Sequence, residues 1–302
     1  MKHHSYLFVM ITLLFAALAC TLPSTLTEET PPPDIIEGIT PTKPEPTLTI
    51  QVNQTETPTQ EPTEAPFACG TTMAKATAFG MGFCYPGQYS SGFTQVMVPE
   101  NPPSDDLPIW GVHPDMIELT LTGYPVDNRY HDPIIRIYPV ADLVALDPAF
   151  QNIVNDLKAL LTSQDPNPEN IPFMPLFNAA QMMQAQVTYL GFQNGMGVRF
   201  ITQYGQAFLP ISNDSTFYAF IGLTEDGAYL ISATLPVTHP LFDEDGMTEP
   251  VEGWESFVEN FETYISNMET ELTTQPADSF FPHLMPLDEM MTSFLIPPDA
   301  IP

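Results

Sequence analysis

The chain has 302 residues, with 37 acidic and 7 basic side chains, a net charge of −30, and 43% hydrophobic residues. Eight of the acidic and two of the basic residues lie in the first 66, so residues 67–302 carry 29 against 5, a net charge of −24. So negative a surface excludes nucleic-acid binding and attachment to anionic lipid through the protein's own cations.

Met1 to Ala19 has a short polar start (Lys2, His3, His4) and an apolar run from Tyr6 to Ala19. The run falls short of the ~20 apolar residues a membrane span needs, and reads as the hydrophobic region of a signal peptide covering residues 1–19. Ala17-Leu18-Ala19-Cys20 resembles a bacterial lipoprotein lipobox, which implies lipidation of Cys20 as the mature N-terminus. Leu18 stands where a small residue is commoner, and Ala17 where leucine is commoner. Ala17 and Ala19 also satisfy an ordinary secretory cleavage site, which is the rival reading. Thr21 to Pro66 holds 12 Thr and 10 Pro in 46 residues. Such a segment cannot bury enough apolar surface to offset its ordering entropy, so residues 20–66 are expected to form a disordered tether, whether bare or O-glycosylated.

Residues 67–302 show no second linker and are expected to form a single domain. Cys69 and Cys84 at an exported address predict a disulfide that staples the weakly patterned segment Gly70–Gly82. The rival, a thiol nucleophile or redox pair, lacks Cys-x-x-Cys spacing. Strands are predicted over Ser91–Val98, Met116–Leu121 and Ile134–Tyr138. Asp147-Pro148 then supplies a helix N-cap with proline in the first turn, and Phe150, Ile153, Val154, Leu157, Leu160 and Leu161 recur at helical spacing. Asn178–Met183 reads as a short helix or turn. Ala185–Val237 reads as a four-strand meander, with Asn194-Gly195 as a positive-φ hairpin turn and Glu225-Asp226-Gly227 as another. Trp254, Phe257, Val258, Phe261, Tyr264, Ile265, Met268 and Leu272 predict one continuous helix, with Glu255, Glu259, Glu262, Glu269 and Glu271 on its solvent side. A short helix near Leu287–Phe294 closes the chain. The predicted class is α+β: an antiparallel sheet of about seven strands with helices packed on it.

Candidate chemistry is sparse. No nucleophile elbow, P-loop, dinucleotide fingerprint or zinc-protease motif occurs. His113, His131, His239 and His283 are dispersed near prolines, which suits loop residues better than zinc ligands. Asp243-Glu244-Asp245-Gly246 resembles the opening of a calcium loop, with Asp243, Asp245 and Glu252 as candidate ligands. Leu241 stands where such a loop would begin with Asp, and a solvated acidic loop is the rival. The glutamate face of the helix is a candidate for divalent cations or a basic partner, against a merely repulsive solvated face. Arg199, mid-strand, could grip an anionic ligand or pair with a neighbouring carboxylate. Trp110, in a Pro/Gly loop, is the candidate exposed contact residue. The pairs Met182-Met183 and Met290-Met291 raise copper(I), with core filling as the rival.

From Arg199 to about Met268 the order V-R-F-I-T-Q-Y, a hairpin, then W-E-S-F-V-E-N-F resembles the PsbP-like sandwiches: extrinsic photosystem proteins, Ran-binding Mog proteins and bacterial lipoproteins. The resemblance covers about a third of the domain. It implies a non-catalytic binding or assembly module. The leading expectation is therefore a monomeric, lipid-anchored extracytoplasmic module with an unidentified small-molecule or protein ligand, no nucleic acid and no cofactor beyond calcium. The alternatives are an exported hydrolase, for example with His239 beside Asp243 or Glu244, and a structural envelope protein.

Overall fold

The computed structural model describes residues 69–301; the expected signal peptide, Cys20 and the expected tether lie outside the described residues. The domain begins with a hairpin, β1 (Met73–Ala78) and β2 (Met81–Pro86), which the sequence pattern had not disclosed. Cys69 is disulfide-bonded to Cys84, with their Cα atoms 5.8 Å apart, so the predicted staple ties the segment that leads into β1 to β2.

The other eight strands form one antiparallel sheet. They are β3 (Gly92–Val98), β4 (Met116–Thr122), β5 (Ile134–Pro139), β6 (Ala180–Gln181), β7 (Ala185–Phe192), β8 (Gly195–Gly205), β9 (Thr216–Thr224) and β10 (Tyr229–Pro236). Their spatial order is β3-β4-β5-β10-β9-β8, with β7 and the short β6 both paired to the outer side of β8. The predicted meander is therefore present, and β10 joins it to the earlier strands by pairing with β5. Helices follow: α1 (Val140–Leu146), α2 (Pro148–Ser163), α3 (Trp254–Glu259), α4 (Phe261–Thr273) and α5 (Leu284–Thr292). The class is α+β, as predicted.

Every residue of β9 and β10 is buried, because both faces of the sheet are covered. On one face Phe150, Val154 and Leu157 of α2 pack over Phe200, Phe217, Ala219 and Ile221. On the other, the β1–β2 hairpin, Leu272 of α4 and Leu284, Leu287, Met290 and Met291 of α5 pack over Tyr218, Phe220, Ile231 and Ala233. Successive side chains of a strand point to opposite sides, so Phe217 and Tyr218 belong to different cores. The paired methionines all belong to the second core: Met183, Met290 and Met291 fill it and Met182 packs against it.

Four expectations are corrected in detail. The Asp147 carboxylate caps α2 by accepting from the Ala149 N–H at 2.8 Å, as expected, but a further helix, α1, precedes it. The 178–183 segment holds the strand β6, which extends the outer pairing of β8. The continuous apolar helix is broken at Asn260 (φ −108°, ψ 15°) into α3 and α4; Val258 is exposed, and Glu269 turns toward the sheet. The β7–β8 turn is Gln193-Asn194, flanked by the Phe192–Gly195 pair, and neither Asn194 nor Gly195 has positive φ. Gly195 is required instead by close approach, since a Cβ there would lie 2.1 Å from the Phe192 ring and 2.4 Å from the Leu223 carbonyl oxygen.

Candidate functional site

The residues singled out in the sequence do not converge. Arg199 is buried on the α5 side of β8, where Nε and Nη2 donate to the two carboxylate oxygens of Asp288 at 3.1 and 3.0 Å. Its Nη1 donates to the Gln186 carbonyl, and the Tyr218 hydroxyl donates to Asp288 Oδ1 at 2.9 Å. The guanidinium is therefore taken up by a planar, two-pronged ion pair that fastens α5 to the sheet. Burial, reinforced by the Asp288 charge, holds the Tyr218 phenol well above its ordinary pKa, so it remains a donor. Trp110 is 45% exposed on a single 3-10 turn, Ile109–Gly111, in the loop after β3.

Of the calcium candidates Asp243, Asp245 and Glu252, Asp243 is engaged within its own turn. Asp243 Oδ1 accepts from the Gly246 and Asp245 N–H groups at 2.8 and 3.2 Å, closing its own turn. Among the described residues no three His, Cys, Asp or Glu side chains are placed to hold a metal ion. The five glutamates do not share one solvent face either. Glu269 is half-buried and accepts from the Gln184 N–H at 2.7 Å, and burial raises its pKa. It lines a polar cleft of about 570 Å³ between α4, β7 and the 166–168 loop.

His239 pairs with neither Asp243 nor Glu244. It is buried, with Nε2 3.0 Å from Ser279 Oγ and Nδ1 accepting from the Leu241 N–H at 3.2 Å. An Nδ1 that accepts leaves the proton on Nε2, which then donates to Ser279, while the Ser279 hydroxyl donates to the Pro276 carbonyl at 2.7 Å. A serine activated for attack needs the opposite polarity, an imidazole nitrogen that takes the hydroxyl proton. This pair is built as a fastening.

The concavity best suited to a ligand lies elsewhere, where the 124–133 loop, the 171–179 segment and the end of β8 meet. Tyr130, His131, Phe177, Gln203, Tyr204 and Ser215 are among the residues that line a pocket of about 490 Å³. A smaller one of about 260 Å³ adjoins it, sharing Phe177, Ala179 and Tyr204. The walls are aromatic because β8 and β9 send Tyr204 and Phe217 to the α2 side, where Phe173 and Phe177 pack against them. Ring centroids are 4.6 Å apart for Phe177 and Tyr204, 5.3 Å for His131 and Phe177, and 4.4 Å for His131 and Phe217. Tyr130 stands at the rim, 63% exposed, with the Arg129 guanidinium 5.5 Å from its ring centre.

Burial, with the Arg136 charge adding to it, lowers the His131 pKa from 6.5 to about 4. At neutral pH the imidazole is uncharged and offers one donor and one acceptor. Neither ring nitrogen has a hydrogen-bond partner among the described residues, although the Oδ1 of Asn128 holds its backbone N–H. The remaining polar groups are partly engaged: the Tyr204 hydroxyl accepts from Gln181 at 2.9 Å, and Ser215 Oγ accepts from Ser212 at 3.2 Å. The pocket thus combines aromatic walls with a few oriented polar groups and no buried charge. Of its lining residues the sequence draws attention to His131 alone, as a loop histidine rather than a zinc ligand, and the others taken singly read as core or loop.

No protein-family model matches the chain, and no curated protein matches it. Among solved structures, cyanobacterial PsbP from Synechocystis sp. PCC 6803 is similar over 70% of this chain and 96% of that chain, with 12% identity and a TM-score of 0.24. A likeness that weak carries no argument about function.

Proposed function

We propose that this protein is a lipid-anchored extracytoplasmic binding module whose ligand occupies the pocket between Tyr130, His131, Phe177 and Tyr204. The observation that supports this reading is the pocket itself: about 490 Å³, aromatic-walled, with an uncharged imidazole whose ring nitrogens are free to bond. The size suits a single ring or a pair of rings. The net charge of −24 repels anions, and the pocket has no carboxylate among its lining residues to hold a cation. The ligand class is therefore an uncharged ring compound with an apolar face for the aromatic walls and a polar edge for His131, Gln203 and Ser215. The hydrolase alternative places His239 beside Asp243 or Glu244, whereas the imidazole is engaged with Ser279 and the Leu241 N–H.

The reading is tested by thermal shift and tyrosine fluorescence on the purified protein, against neutral sugars, uncharged aromatic compounds and organic acids. Binding to the native state alone raises stability by about 2.7 kcal/mol at a hundredfold excess over Kd. A rise with an uncharged ring compound that disappears in His131→Leu and Tyr204→Ala supports the reading. A rise only with acids, or one that both variants retain, places the ligand elsewhere.

A further inference from the structure

The two edges of the sheet are built differently. The β7 edge carries the defences expected of an edge strand: its register shifts between Ala185 and Thr188, Gln186 adopts φ 58°, and α4 packs against it. The β3 edge carries none of them. Its sequence, G-F-T-Q-V-M-V, has no charge and no proline, and its register with β4 is unbroken from Gly92–Thr122 to Val98–Met116. Thr94, Gln95 and Val96 are exposed, Val96 by 53%.

The direction of the free groups follows from the neighbouring ladders. The Leu121 N–H donates to the Pro133 carbonyl at 3.0 Å, in register with Ile117–Ile137, so the odd-numbered residues of β4 bond to β5. In an antiparallel ladder alternate residues bond to opposite sides, so the even residues of β4 bond to Gly92, Thr94, Val96 and Val98. Phe93, Gln95 and Met97 therefore direct three N–H and three C=O groups outward, and none of these has a partner among the described residues. Beyond Val98 the chain enters a loop with exposed Glu100, Asp105 and Asp106, and Asp115 is exposed where that loop returns to β4. Asn101 is bridged to His113 and its Nδ2 donates to the Gly111 carbonyl at 2.8 Å, which brings exposed Trp110 back beside the end of the strand.

The geometry points to β3 as a docking edge for an extended, basic segment of a partner protein, which adds a strand to the sheet and sets a cationic side chain among Trp110, Glu100, Asp105 and Asp106. Main-chain bonds to Phe93, Gln95 and Met97 supply the register, and the indole face with nearby carboxylates selects Lys or Arg. A second copy of this chain is the wrong partner, because edge-to-edge pairing would bring together two domains that each carry a net charge of −24. This inference is independent of the pocket.

The test is fluorescence anisotropy with the purified protein and two labelled heptapeptides of alternating valine and threonine, one ended by lysines and the other by glutamates. The lysine peptide is expected to bind at least tenfold more tightly, with affinity falling as salt rises. Gln95→Pro removes only an outward N–H, and is expected to weaken binding at least tenfold with the melting temperature little changed. Should that variant misfold, Val96→Lys, at an exposed site whose own N–H bonds inward, is expected to do the same by repulsion. Hydrogen exchange at Phe93, Gln95 and Met97 should be fast in the protein alone and slow with peptide. No binding at millimolar peptide, equal binding of both peptides, or protection of these amides in the protein alone would overturn the proposal. So would sedimentation as a dimer that Gln95→Pro dissociates.

Discussion

At the scale of single residues, the side chains that attract notice in the sequence are mostly structural, while His131 lines the aromatic pocket. Its imidazole titrates near 6.5 when unfolded and near 4 in the fold, so between those values the unfolded chain binds more protons. Stability therefore falls as pH drops from about 6.5 to about 4, by about 3 kcal/mol over the full width, and this contribution levels off below. His239, whose pKa burial also lowers, adds in the same direction. Melting curves at pH 7, 5.5 and 4 should show the loss, and His131→Phe should flatten it; a variant with the wild-type slope would refute the assignment. The Arg199–Asp288 pair permits a second prediction. Arg199→Met leaves a carboxylate beneath α5 with only the Tyr218 hydroxyl, and should cost about 3 kcal/mol in urea unfolding. The double variant Arg199→Met, Asp288→Leu should recover much of that loss, because it removes the stranded charge along with its partner.

At the scale of elements, the tightest fits lie where strands cross rings. A methyl group at Gly195 would meet the Phe192 ring and the Leu223 carbonyl oxygen, and the latter is backbone that cannot step aside. Gly195→Ala should therefore destabilise by about 2 kcal/mol or more, measured by chemical denaturation. Reducing the Cys69–Cys84 bridge should lower stability by about 3 kcal/mol in the loop-entropy account, read as a drop in melting temperature with dithiothreitol. Elements with a strong internal period were legible: α2 announces itself through Asp147-Pro148 and its apolar spacing, and the meander through its alternation. The β1–β2 hairpin was not legible, because Ala76, Ala78 and Gly82 give it a weak pattern and its burial comes from α5 and Phe294. The break at Asn260 was hidden as well, since an apolar stripe can continue across an interruption. The pocket was the least legible feature. Its walls come from segments between Tyr130 and Ser215, and it takes the pairing of β10 with β5, with the bonds from Asn128 and Arg129 to residues 213–216, to bring the 124–133 loop beside the end of β8.

At the scale of the whole molecule, the proposed anchor and the described domain are separable in experiment. Cys20→Ala should move the protein from the membrane pellet to the soluble fraction, leaving ligand binding in the pocket unchanged; retention in the pellet would contradict the anchor. Within the domain, the first and last segments are built into each other. Phe83 of β2 stacks on Phe294 with centroids 4.8 Å apart, Gly82 is bridged to Leu295, and the Cys84 N–H donates to Ser293 at 2.8 Å. The Asn194 side chain holds both the N–H and the C=O of Ile296, and the Tyr229 hydroxyl holds Pro298 and Ile301. A core closed by residues 294–301 cannot be completed before those residues are available to pack. Were the chain exported as proposed, it would cross the membrane short of this fold, in a state a translocation channel can thread, with the core completed only once residues 294–301 had followed. A chain ended at Ser293 should accordingly stay protease-sensitive however long it is left to fold.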